Sequence, residues 1–215
     1  MTELFGRIPE EKRNRVFDAA INEFATYGFV NANTNKIASR AGISVGSLFQ
    51  YFENKEDLFI TTVNHCASIM KTTLEDILVG EEDILMKVEK LLRTIQKHSR
   101  ENLNMIRLYN EMATQSNSRI ICEIVKDMET LTAKLYAELI RKAQSEQEAR
   151  ADCDPGMFAF LLDNIFMMLQ FSYSCDYYRE RFKIYVKEDV FDQDDFVVEQ
   201  TLKFIKAAFS PKIPR

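Results

Sequence analysis

The chain has 215 residues, 46% of them hydrophobic and 28% charged, which suffices for a substantial core and excludes a disordered polymer. Lys and Arg number 28 against 33 Asp and Glu, a net charge of −5, so only modest non-specific attraction to nucleic acid is expected. Cys66, Cys122, Cys153 and Cys175 form no C-x-x-C pair and His65 and His98 stand apart, so neither a metal site nor a cofactor is expected.

With only 6 glycines and 4 prolines, long helices can run unbroken. The first residues, MTELFGRIPEEKR, lack the apolar core of a secretory leader. A first helix is predicted over 9–27, where Phe17, Ala20, Ile21 and Phe24 recur at helical spacing before Gly28 stops it. The segment 34–58, TNKIASRAGISVGSLFQYFENKEDL, then reads as two short helices joined by a tight turn. Thr34 is placed to cap the first, whose inward stripe is Ile37, Ala38 and Ala41. Gly42 falls where the chain must turn through positive φ, Ile43 plugs the corner, and Ser44 caps the second helix. Leu48 and Phe52 anchor that second helix to the core, which leaves Val45, Gly46, Ser47, Phe49, Gln50 and Tyr51 near its outer face. Asn54 caps a third helix, with Lys55 in its first turn and Asp57 at the capping-box position. Such a helix-turn-helix places its second helix in the DNA major groove. The cations Lys36, Arg40 and Lys55 flank that helix, and Arg7, Lys12, Arg13 and Arg15 lie near the N-terminus as further phosphate partners.

Further helices are expected over 55–79, stopped by Gly80, and over 81–99, 103–113 and 118–149. Asp154-Pro155 opens another through 178, and the last runs over 194–209 before Pro211. No strand pattern appears, so the fold class is all-α, divided into a helix-turn-helix domain over 1–54 and a larger helical domain over 55–215. The stretch 157–178 is apolar almost all round, and such a helix is covered by its own chain, by a second subunit or by a bound apolar ligand. Its run 158–171 is interrupted by Asp163, Asn164 and Gln170, and no membrane span is expected; a cytoplasmic protein with reduced thiols is.

The segment 34–58 closely resembles the DNA-binding signature of the TetR family of transcription regulators. Thr34, Ile37, Ala38, Ala41, Gly42, Ser44, Gly46, Leu48, Tyr51, Phe52, Asn54, Lys55 and Leu58 carry the likeness, with Tyr27-Gly28-Phe29 before them. Phe49 departs from it, standing where many members carry a tyrosine whose hydroxyl reaches a phosphate. The resemblance implies a homodimeric, ligand-responsive repressor on double-stranded DNA. Its DNA-binding residues would be Thr34, Asn35, Lys36, Ser44, Val45, Gly46, Ser47, Phe49, Gln50, Tyr51 and Lys55. Gln50 is the candidate base reader, because its amide can pair with adenine through two hydrogen bonds, while Lys55 and Thr34 bind phosphates.

The same resemblance implies that the last two long helices pair with their twofold mates. That role falls to Phe158, Leu162, Ile165 and Leu169 on one helix and Phe196, Val197, Leu202 and Ile205 on the other. Met105, Tyr109, Met112, Met128, Phe166, Gln170 and Tyr173 supply soft, aromatic and polar lining for an apolar or amphipathic effector. Asn110, Asp163 and Asn164 offer further polar ends. An activator or protein-docking regulator of the same fold is the alternative. No nucleophile–base pair or glycine-rich phosphate loop is visible, and the paired acids Glu81-Glu82 and Asp194-Asp195 fall at helix starts, where they complement the dipole; no enzyme activity is expected.

Overall fold

The structure, a computed structural model, describes residues 1–114 and 119–210, with the side chains of 113–114, 119–125 and 127–128 left aside. The described residues form α-helices joined by short connections, with one 3₁₀ turn and no strand. In order they are α1 (Glu3–Arg7), α2 (Glu10–Asn31), α3 (Thr34–Arg40), α4 (Val45–Tyr51), α5 (Lys55–Leu78) and α6 (Ile84–Glu101). After them come α7 (Leu103–Thr114), α8 (Arg119–Ser145), α9 (Pro155–Ser174), α10 (Asp176–Tyr185), the turn Val190–Asp192 and α11 (Asp194–Phe209). Contacts group residues Met1–Ile69 with Asn104–Lys126 in one unit and Met70–Leu103 with Asp127–Arg215 in another.

In the first unit α2 supplies the central face through Val16, Phe17, Ala20 and Phe24, all buried. Against this face lie Ile37 and Ala38 of α3, and α4, with Leu48 buried, packs on α3. Gly28 has φ +69° and ψ 168° and breaks the α2 geometry, after which one more turn closes with the Ala32 amide on the Gly28 carbonyl. At the helix-turn-helix corner Gly42 adopts φ +67°, the left-handed region that glycine reaches without steric cost. The cap of α3 is Asn33, not Thr34: its side chain accepts from the Asn35 and Lys36 amides, which makes Thr34 the first helical residue. Asn54 accepts from the Asp57 amide at 2.9 Å as expected, but the short Asp57 side chain reaches back to the Glu53 amide at 3.0 Å, one residue before the cap.

One element has no counterpart in the sequence reading. The first residues form α1, whose Phe5 is fully buried and touches the rings of Phe17, Tyr51 and Phe52.

The second unit has a core of Ile84, Val88 and Leu92 from α6, Tyr136 and Ile140 from α8, Leu162 and Phe166 from α9, and Val197, Ile205 and Phe209 from α11. A polar lock closes one side of it. Arg100 donates to both carboxylate oxygens of Asp194, at 2.5 and 2.7 Å. The Tyr173 hydroxyl donates to the same carboxylate at 2.9 Å and accepts from Gln96 at 3.0 Å. The Arg100 bond holds Asp194 below the ordinary carboxylate range, while burial pushes the Tyr173 phenol up. The helix expected through 178 breaks at Cys175, which is extended, so α9 and α10 are separate. α9 has the length of a membrane-crossing helix and Asp163 is its one charged residue, features it shares with the core helices of globular proteins. In this fold its inner face packs on α6.

A Cβ at Gly42 would meet nothing within 4 Å, so any cost of substitution there is dihedral. Gly42→Ala should therefore destabilise by about 1–2 kcal/mol in urea unfolding, and Gly42→Asn by less, because asparagine tolerates the left-handed region.

Candidate nucleic-acid interface

The candidate interface is built on two seven-residue helices, α3 and α4, each too short to hold itself in water. Caps supply part of what length does not. Ser44 Oγ accepts from the Ser47 amide at 3.0 Å and pairs with Ser47 Oγ at 2.8 Å, so both hydroxyls are engaged at the start of α4. Leu48 and Phe52 are fully buried and fix the inner face.

Outward from that anchor α4 exposes Gly46, Phe49 and Gln50, with Val45 and Ser47 half-buried. α3 exposes Asn35, Lys36 and Arg40, with Thr34 half-buried. Nine of the eleven sequence-predicted residues, together with the exposed cap Ser44, thus fall on the accessible side of these helices or at the start of α5, where Lys55 sits half-buried. Tyr51 is the correction. It is 5% exposed, its ring is tilted 47° against that of Phe5 with centroids 5.5 Å apart, and its hydroxyl accepts from Lys12 at 3.1 Å. Helical spacing puts Tyr51 three residues after Leu48, and α1 covers that side.

The cations are less available than their sequence positions suggest. Lys55 Nζ donates to the Val30 carbonyl at 2.9 Å and lies over the Phe29 ring; burial holds its pKa below the ordinary lysine value, opposed by Glu23. Lys36 lies over the Tyr27 ring, 5.0 Å from its centroid. Of the N-terminal cations, Arg7 and Arg15 pair with Glu3 and Glu11 on their own helices, and Arg13 donates to the Gly6 and Ile8 carbonyls. Exposed pairs of this kind contribute little to stability and part readily for a phosphate.

Glu23 was absent from the sequence reading, yet it organises the site. It is 1% exposed, with Oε1 accepting from the Asn33 amide at 3.1 Å and Oε2 from Arg40 at 3.3 Å. One buried carboxylate thus joins α2 to both ends of α3. A charged residue between Asn22 and Phe24 on the apolar face of α2 was the available signal. His65 and Cys66 carry no shared site: the imidazole stacks on Phe17 at 3.9 Å between centroids, and burial pushes the Cys66 thiol up to about 12.

The effector candidates divide between the two units. Met105, Tyr109 and Met112 belong to the first, with Met112 buried; Phe166, Gln170 and Tyr173 belong to the second and are all buried. The side chain of Met128 is among those the structure leaves aside. Tyr173 is committed to the Gln96–Asp194 lock. Burial lifts the Asp163 carboxyl to about 6, with Glu129 adding to the effect. The residues assigned to a twofold interface serve the chain's own core. Leu162, Leu169, Val197 and Ile205 are buried in it, and Phe158, Ile165, Phe196 and Leu202 pack against it. The large apolar side chains that α9 and α11 leave exposed are Met157, Phe160, Leu161 and Phe204.

Residues 16–62 match the family model described as bacterial regulatory proteins, tetR family. The uncharacterized HTH-type transcriptional regulator YdgC of Bacillus subtilis (strain 168) is 24% identical over 164 residues, 73% of this chain and 82% of that protein. The fatty acid metabolism regulator protein of the same organism is 35% identical over 91 residues, 40% of this chain and 43% of that one. Among solved structures, the transcriptional regulator FadR from Bacillus subtilis in complex with stearoyl-CoA superposes with a TM-score of 0.67 at 19% identity, covering 86% of this chain and 95% of that one.

Glu23→Gln keeps the volume of the buried side chain but turns an amide donor or a neutral oxygen toward Arg40. It should destabilise the chain by about 1–3 kcal/mol in urea unfolding and speed hydrogen exchange at the Asn33 amide. Unchanged stability would remove Glu23 from the organising role.

Proposed function

We propose a specific role for this chain, which belongs to the TetR family of transcriptional regulators and binds DNA: a homodimeric repressor of a palindromic operator, released by a lipid-like effector. On this reading the head in residues 1–54 reads DNA, and residues 55–215 carry effector binding and dimerisation. The observation that carries it is the outer face of α4, where Gly46, Phe49 and Gln50 are exposed together on a helix capped and anchored from behind. Gln50 reads a base edge, and Asn35, Lys36, Arg40 and Lys55 hold phosphates. Gly46 supports the reading in a different way. A Cβ there would meet only Ser44 Oγ, at 3.8 Å, so nothing inside the protein requires glycine. Its smallness serves an approach from outside, at a cost to helix stability of about 1 kcal/mol.

Dimerisation uses the exposed apolar side chains Met157, Phe160 and Leu161 of α9 and Phe204 of α11, of which Phe160 and Phe204 are 61% and 66% exposed. Large exposed apolar groups on neighbouring long helices favour burial against a twofold mate. An effector with an acyl chain is supported by the relative named as a fatty acid metabolism regulator and by the neighbour solved with stearoyl-CoA. Within the second unit, the aromatic candidate Phe166 suits such a chain, and the buried amide of Gln170 suits its polar end.

Gly46→Ala should raise thermal stability slightly while weakening operator binding, a divergence that simple loss of structure cannot produce. Phe160→Glu combined with Phe204→Glu should give monomers in sedimentation and lower operator affinity about 100-fold, the avidity of two linked heads. Transcription from an operator-bearing promoter, followed with fatty acids and acyl-CoA esters of increasing length, tests release. Repression relieved by long chains alone supports the lipid-like effector, and repression indifferent to all of them contradicts it.

A further inference from the structure

The last turn of any helix leaves carbonyls without partners inside the helix. In α4 these carbonyls are claimed by a residue 48 positions away. The Thr2 amide donates to the Tyr51 carbonyl at 3.0 Å, and Thr2 Oγ1 donates to the Gln50 carbonyl at 3.0 Å and the Tyr51 carbonyl at 3.2 Å. Three residues on, Phe5 is fully buried, 4.7 Å between centroids from Phe52 and 5.5 Å from Tyr51. The far end of α1 is held in turn by Arg13, which donates to the Gly6 and Ile8 carbonyls. Thus α4 is capped at its start by Ser44 and at its end by Thr2, and α1 is tied down at both of its own ends.

We propose that α1 is a positioning element for DNA reading, with Thr2 as the residue that fixes the C-terminal end of the recognition helix and, through its grip on the Gln50 carbonyl, the place from which the Gln50 side chain reaches a base. This rests on the reading of α4 given above, and it adds a determinant of specificity that touches no DNA. A side-chain amide that pairs through two hydrogen bonds must be held to within about 0.5 Å of its productive position. A seven-residue helix has no internal means of doing that at its last turn, where Gln50 and Tyr51 sit. Phe5 and the Lys12–Tyr51 bond supply the packing, and Thr2 supplies the direction.

The test uses the full-length chain and DNA sites selected from a randomised pool. Thr2→Val removes the hydroxyl and keeps the amide and the shape; Thr2→Ser restores the hydroxyl. Thr2→Val should weaken the preferred site about three- to tenfold, the range of one or two modest hydrogen bonds, and broaden preference at the base pair set by Gln50. Thr2→Ser should behave as the parent. In a Gln50→Ala background Thr2→Val should change that base-pair preference no further. A uniform loss across all sequences, or an effect that adds in full to that of Gln50→Ala, would make α1 a stabiliser of the fold alone and overturn the proposal. The two readings fail separately. If Gln50→Ala shifts preference and Thr2→Val does not, positioning by α1 falls and base reading by Gln50 stands. If Thr2→Val shifts preference and Gln50→Ala does not, Gln50 is not the reader, and α1 positions another side chain of α4.

Discussion

Everything proposed for this protein depends on holding a helix of seven residues in one orientation. Two turns of helix do not persist alone in water, and a reading helix that wavers cannot discriminate bases. The fold meets this constraint with contacts from three directions. Leu48 and Phe52 bury the inner face, Ser44 caps the first turn, and Thr2 takes the last carbonyls. The turn that brings α3 to α4 needs the left-handed backbone of Gly42, and α3 is itself held by the buried carboxylate of Glu23. Little of this depends on net charge, which suits a chain with more acids than bases. On the proposed reading specificity leans on placement, with phosphate attraction in a supporting part.

The second unit shows a different economy. Its core is apolar and continuous through α6, α8, α9 and α11, while one side is fastened by Arg100, Asp194, Tyr173 and Gln96. A lock of this kind is directional, and it sets where α11 begins relative to α6 and α9 within the unit. The same helices then present Phe160, Leu161 and Phe204 outward. One face of α9 serves the chain's own core and another stays exposed, the face that the proposed twofold mate would cover.

The sequence spoke clearly where the determining interactions are local. Gly42 in the turn, Ser44 and Asn54 as caps, and Leu48 and Phe52 as anchors are each decided within four residues, and each stands as the pattern indicates. It was silent where a distant segment decides the outcome. Tyr51 has the spacing of a residue at the edge of the outer face, and it is buried only because α1 lies across it. The choice between Asn33 and Thr34 as cap turns on one residue of register, which composition cannot resolve. Cys175 breaks a helix with neither glycine nor proline to mark it. For α9 and α11 periodicity reports that a side chain is apolar and not what covers it. Leu162 and Ile205 therefore looked the same in sequence as Phe160 and Phe204, though the first two face the core and the others face outward.

The central claim is that two copies of α4, related by a twofold axis, read DNA together. The most direct measurement is the symmetry of the sites that the full-length protein enriches from random duplex DNA. The account requires an inverted repeat whose half-sites lie about one helical turn, roughly 10 base pairs, or a multiple of it apart. Enrichment of a single asymmetric half-site, at an affinity that Phe160→Glu with Phe204→Glu leaves unchanged, would contradict it.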